Sequence, residues 1–232
     1  LMDHVMGGGA SGVLPVLKGF PDTRGNRPNG IYIPRFRNLE ERHPDFLRGY
    51  GYQGGSNVVK WGHAMAIPGF GGAFKQDVRE SRPWQISIGG FGEHLPRYEN
   101  SCELDTTHVD AWGIPILHIS AAYGENEQTM VDDMADAAEE MLRAVGAEDI
   151  EVEREISNPG LAIHEVGTAR MGDDPGTSVL NGYEQAHDVS NLFVMDGSGL
   201  PSSACQNPTI TFMALATRAC EYMVEEFRAS RV

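Results

Sequence analysis

The stretch from Asp196 to Phe227, DGSGLPSSACQNPTITFMALATRACEYMVEEF, constrains the fold most, because its residue types dictate an order of elements. It reads as the end of a buried strand, a loop of small residues and one long helix. Asn207 suits an N-cap, Pro208 suits the first helical position, and Thr209 and Thr211 add hydroxyls to the first turn. Ile210, Met213, Cys220, Val224 and Phe227 then recur at helical steps, a stripe that predicts a core-facing side. A helix start carries unpaired N–H groups and the positive end of the macrodipole, so it suits a ligand that is, or becomes, negative. An ordinary capped core helix would give the same pattern. Just upstream, NLFVMDG at 191–197 reads as a buried strand of a parallel sheet that ends at a binding crevice.

Further back, residues 124–146 predict a second helix. Met130, Met134, Ala138, Met141, Leu142 and Val145 form its apolar face, Gly146 its stop, and the acidic residues at 132–133 and 139–140 a solvated side. Alternation over Trp84–Asp105 predicts two strands joined by a turn containing Gly and Pro; Ile114–Ala121 gives a third and Ile150–Ile156 a short fourth, so an antiparallel sheet is expected over 84–121. Residues 1–80 read as loop-rich, with short strands and excursions over another surface and no independent core. GGGASG at 7–12 lacks the residues that complete a phosphate loop. Trp61, Trp84 and Trp112 are read as core residues, with stacking on a sugar ring as the alternative.

The net charge of −15 argues against nucleic acid or an anionic membrane as a partner, and no apolar run is long enough to cross a bilayer. Three scattered cysteines and eight histidines without ligand spacing predict no metal site. The chain starts at Leu1 without a leader, and it is expected to be part of a longer polypeptide.

His164 follows an apolar run and precedes a Gly-rich, turn-prone segment, which would leave its imidazole at a strand end facing a cleft. Two segments taken together, HEVGTARMG at 164–172 and NLFVMDGSGLPSSACQNPTITFMALA at 191–216, closely resemble the C-terminal region of the glucose-methanol-choline family of flavin oxidoreductases. The opening LMDH also resembles that family's segment near the middle of the full chain. The resemblance implies an α/β protein: an α+β substrate domain with an antiparallel sheet, plus the last strand and helix of an FAD-binding Rossmann-like domain. The implied divisions are a linking segment at 1–80, the substrate domain at 81–160, and the catalytic motif with the end of the FAD domain at 161–232.

It further implies FAD-dependent oxidation of a sugar or glycoside hydroxyl. His164 would take the hydroxyl proton, and Asn207 would donate to the substrate oxygen while hydride passes to flavin N5. Asp196 and Gly197 would lie along the ribityl–pyrophosphate part of FAD, and Asn207, Pro208 and Thr209 would face the flavin ring. A neutral imidazole suits the base role because its pKa lies near working pH, and an amide donor suits a developing alkoxide. The dinucleotide fingerprint of the family is absent from these residues, so an upstream FAD-binding half is an expected partner. A small subunit and a cytochrome acceptor are implied for a dehydrogenase complex, which would be periplasmic; an oxidase would be cytoplasmic. The competing readings are a non-redox lyase of the same family and a partner module that kept the fold without the cofactor.

Overall fold

Tyr50 and Tyr52 flank Gly51 at the start of Tyr50–Val58, so the strand opens with rings on one side and bare backbone on the other. In the computed structural model, which describes residues 1–20, 30–58, 61–80 and 83–231, this segment is an inner strand of the main sheet. The elements in chain order are β1 (His4–Val5), β2 (Gly9–Val13), β3 (Ile31–Ile33), β4 (Tyr50–Val58), α1 (Gly71–Glu80), β5 (Trp84–Glu93), β6 (Ser101–Val109), β7 (Pro115–Ser120), α2 (Glu125–Ala144), β8 (Glu148–Glu153) and α3 (Thr209–Arg228). The main sheet runs β3-β4-β5-β2-β8 with β1 also on β5, every pairing antiparallel. Helix α2 lies on one face.

The core forms between that face and α2. Tyr50, Tyr52, Ile86, Ile88 and Ala10 from the sheet meet Met130, Val131, Met134, Ala138 and Leu142 from the helix. Burying each of the larger of these side chains, such as Ile88, Met134 or Leu142, stabilises the fold by about 2 kcal/mol. The helix comes close because β5 carries no side chain at Gly90 and Gly92. A Cβ on Gly90 would lie 2.5 Å from Met134 Sδ, and one on Gly92 would lie 2.5 Å from Met130 Sδ. The predicted helix stop holds: Gly146 has φ +75°, and the Gly146 and Ala147 N–H groups close back onto the Arg143 and Leu142 carbonyls. At the other end the buried Glu127 carboxylate accepts the Gly124 N–H at 2.8 Å and the Arg97 guanidinium at 3.0 Å.

Several expectations are corrected. The first 80 residues supply four strands, and β2 and β4 lie inside the sheet with Leu14, Tyr50 and Tyr52 in its core. Their Gly-rich strands lack the apolar rhythm that marks most strands, because their neighbours occupy the space where side chains would sit. GGGASG itself enters β2. The strands within Trp84–Asp105 both form, but they do not pair with each other: β5 joins β1, β2 and β4, while β6 pairs with β7 in a separate two-stranded ribbon. Asp133 is not on a solvated side, since the Arg37 guanidinium holds it at 2.8 and 3.0 Å and the Tyr50 hydroxyl donates to it. Trp112 is exposed, Trp84 packs at the margin of the core, and the Trp61 side chain lies outside the described residues.

The two C-terminal predictions also change. Residues 191–197 make one bridge, Gln185 to Phe193, and no strand, because no neighbouring parallel strand is present among the described residues. Helix α3 forms, yet Ile210, Met213, Val224 and Phe227 are exposed and only Ala219 is buried. Its packed side is a different one. Phe212 reaches Gly197, Tyr222 stacks on Tyr183 at 4.2 Å, and the Arg218 guanidinium donates to the Gly182 carbonyl.

Candidate active site

Gly90 and Gly92 face α2, so Gly89, Phe91 and Glu93 face the opposite side of β5. Register places two more residues on that side: His4 of β1 is opposite Glu93, and Gln53 of β4 is opposite Gly89. This second face is where every predicted catalytic residue docks. It carries an open cleft of about 830 Å³ lined by Ser11, Ser87, Gly89, Phe91, Glu153 and Leu161, a mixture of hydroxyls, carboxylate, bare backbone and apolar contacts.

His164 reaches the face through His4. The two imidazoles meet edge to face with centroids 4.8 Å apart, and His4 meets Phe91 in the same manner at 5.9 Å. His164 is half-buried, and its Nδ1 is buried without a hydrogen-bond partner, which leaves Nε2 as the nitrogen a substrate can reach. His4 is buried, and neither ring nitrogen makes a well-formed hydrogen bond, the Gly92 and Ala204 backbone being its nearest polar neighbours. Burial, followed by the neighbouring His164, holds its pKa below the ordinary imidazole range against the pull of Asp3.

The loop before His164 is fixed by Asp3, which is buried. Its Oδ2 accepts the Gly160 N–H at 2.9 Å and the Ala162 N–H at 3.1 Å; its Oδ1 accepts the His4 N–H at 2.7 Å and the His164 N–H at 3.4 Å. After His164 the motif runs as a ladder between its neighbours. Val166 exchanges two backbone bonds with Met2, and the N–H groups of Gly167, Ala169 and Met171 donate to the carbonyls of Gly197, Ser198 and Gly199. LMDH, HEVGTARMG and DGSG, distant in sequence, are therefore side by side.

Asn207 arrives on the other side of β5, at β4. Its Oδ1 accepts from Gln53 Nε2 at 2.9 Å, so it is tied to β4 and does not cap α3. Pro208 takes the N-cap position, its carbonyl accepting the Thr211 and Phe212 N–H groups, and no side chain caps the first turn. The expected cap is thus one residue displaced, which frees the Asn207 Nδ2 donor. Thr209 is exposed as the first helical residue. Among the described residues no hydrogen bond joins His164 to Asn207; the sheet face is what they share.

The other predicted positions have local work as well. Asp196 Oδ1 accepts the Ser198 N–H at 2.8 Å and its hydroxyl at 2.6 Å, capping the turn at Gly197–Gly199. Gly197 is buried, and a Cβ there would sit 2.9 Å from both the Glu165 carbonyl and Phe212, so packing alone requires glycine. Asp3, His4 and Gln53 are site residues that the sequence reading did not single out. A carboxylate and an imidazole adjacent inside the apolar LMDHV run were the available signal for the first two. Among the described residues no group of three or more His, Cys, Asp or Glu could hold a metal ion, and no helix is long and apolar enough to cross a membrane.

A family model described as GMC oxidoreductase matches residues 96–216, and the chain belongs to that family, whose members are flavin-dependent. It is similar to 2-methyl-1,2-propanediol dehydrogenase of Mycolicibacterium austroafricanum, with 33% identity over 78% of this chain and 34% of that protein. It is also similar to paromamine 6'-oxidase of Streptomyces fradiae, with 34% identity over 54% of this chain and 23% of that protein. C-glycoside 3-oxidase of Arthrobacter globiformis shares 30% identity over 62% of this chain and 28% of its own length. The chain thus spans about a third or less of the relatives it matches.

Proposed function

We propose that this chain supplies the substrate face and catalytic side chains of an FAD-dependent enzyme that oxidises a hydroxyl of a sugar or glycoside. The observation that carries the reading is the placement of His164: it heads a motif locked by backbone bonds to LMDH and DGSG, its Nδ1 is buried, and its ring packs on His4 at the sheet face that carries the cleft. Its support from relatives is that their names describe oxidases and dehydrogenases, one of them acting on C-glycosides.

The residues present suit a flavin. The first turn of α3 has no capping side chain, so the Thr209 and Ile210 N–H groups and the helix dipole are free for the negative edge of an isoalloxazine ring, with Pro208 and Thr209 beside it. Asp196, through the oxygen the turn does not use, and the Gly197 backbone would lie along the rest of FAD. The exposed stripe of Ile210, Met213 and Phe227 suits cover by an FAD-binding half upstream in the same enzyme. When bound, the flavin supplies the two-electron acceptor for the C–H bond.

The chain's own residues do the rest. His164 Nε2 accepts the hydroxyl proton, since an alcohol releases hydride only as its oxygen becomes alkoxide-like. The Asn207 amide donates to that oxygen, and its orientation is held by Gln53. Ser11, Ser87 and the carboxylate of Glu153 line the cleft and offer hydrogen bonds to neighbouring sugar hydroxyls. A small subunit and a cytochrome are proposed as acceptors if the enzyme is a dehydrogenase.

The test is product analysis with the full-length protein. Glycosides incubated with it and an electron-accepting dye should yield keto-sugars two mass units lighter, and deuterium at the oxidised carbon should slow the reaction. Turnover without loss of two hydrogens would contradict the reading.

A further inference from the structure

The segment that carries His164 is not held by a strand or a helix. It is a turn in which Gly160 has φ +89° and Ile163, a β-branched residue, has φ +59°. A left-handed Ile costs about 1–2 kcal/mol and persists only where its surroundings over-determine it. What fixes this turn is a single side chain from the far end of the sequence. Asp3, 2% exposed, gathers the N–H groups of Gly160, Ala162 and His164 on its two oxygens and accepts its own neighbour's N–H as well. Four donors converge on a group that, when ionised, has only acceptors to offer.

The same residue sets the contact between the imidazoles. Asp3 precedes His4 and bonds to the N–H of both His4 and His164, so one carboxylate oxygen holds the backbones of the two rings that meet at 4.8 Å. Its own N–H donates to His94 Nδ1 at 3.3 Å, which anchors the carboxylate from behind.

We infer that Asp3 is the positioning residue of the site: it acts on the reaction only through the place it gives the His164 imidazole. The inference rests on the proposed function, in which His164 is the base. An amide at position 3 is the same shape but turns one acceptor into a donor, facing N–H groups that are donors themselves. The turn would then relax, and displacing a base by about 1 Å costs about a hundredfold in rate.

The experiment compares four forms of the full-length flavoprotein: wild type, Asp3→Asn, His164→Ala and the double variant. Each is mixed anaerobically with a glycoside, and the bleaching of the yellow flavin band is followed over a range of substrate concentrations. Asp3→Asn should bleach about a hundredfold more slowly while its substrate Kd stays within about threefold. In the His164→Ala background the same substitution should cause no further slowing, because residues that act as one unit are not additive.

Normal bleaching by Asp3→Asn overturns the inference, as does a slowing of equal size in both backgrounds. If His164→Ala alone bleaches at the wild-type rate, the proposed base fails and this inference falls with it. Should Asp3→Asn yield no flavin-containing protein, Asp3→Glu carries the same comparison, since it keeps the charge and moves the acceptor oxygens by one methylene. A slowing confined to the background with His164 supports the role, and no slowing, or one present in both backgrounds, overturns it.

Discussion

The Gln53 side-chain amide donates to Asn207 Oδ1 at 2.9 Å, joining residues 154 positions apart and tying the start of α3 to the middle of β4. The bond engages the Asn207 amide oxygen and leaves its Nδ2 as the available donor. Gln53→Ala in the full-length enzyme is expected to lower kcat by about tenfold, the worth of one hydrogen bond, with a smaller change in KM. Steady-state kinetics check this, and Asn207→Ala should lose more than Gln53→Ala.

Met134 is fully buried and packs directly on Gly90 and Gly92 of the sheet. Met134→Ala should cost about 2–5 kcal/mol. Urea unfolding should show a lower midpoint at an unchanged slope.

Gly146 ends α2 with φ +75° and nothing near its missing Cβ. Only the backbone conformation penalises a side chain here, so Gly146→Ala should cost about 1 kcal/mol. A drop in Tm of a few degrees, with activity per folded molecule unchanged, is the expected result.

His4 and His94 are buried as neutral rings, and burial lowers both pKa values below 6.5, with the His164 charge adding to the effect on His4 and the Glu127 charge opposing it on His94. Because the unfolded chain binds more protons than the fold as pH drops through 6.5, their contribution is complete above that value and is lost below it. Tm should therefore fall between about pH 7.5 and about pH 5.5, and His4→Gln should flatten part of that slope.

How much of this could be read from the sequence depended on whether a residue's signal was periodic. Helix α2, with Met130, Met134 and Leu142 at helical spacing and Gly146 as its stop, was fully legible. Strands β2 and β4 were not, because their glycines make room for partner strands, and bare backbone leaves no rhythm. The stripe of Ile210, Met213 and Phe227 was legible as a buried side, yet among the described residues nothing covers it, so α3 packs through Phe212 and Tyr222 instead. Within the site, His164 and Asn207 stood out by their motifs. Gln53 and Asp3 did not, because their roles depend on pairings across more than 150 residues that no local spacing records.

The central claim is that His164 takes the substrate's proton. Its most direct measurement is single-turnover bleaching of the flavin band in the full-length protein, wild type against His164→Ala, with oxygen excluded and sugar in excess. The account predicts a rate about 10²–10⁴ lower in the variant, with flavin still bound. Bleaching at the wild-type rate would contradict it.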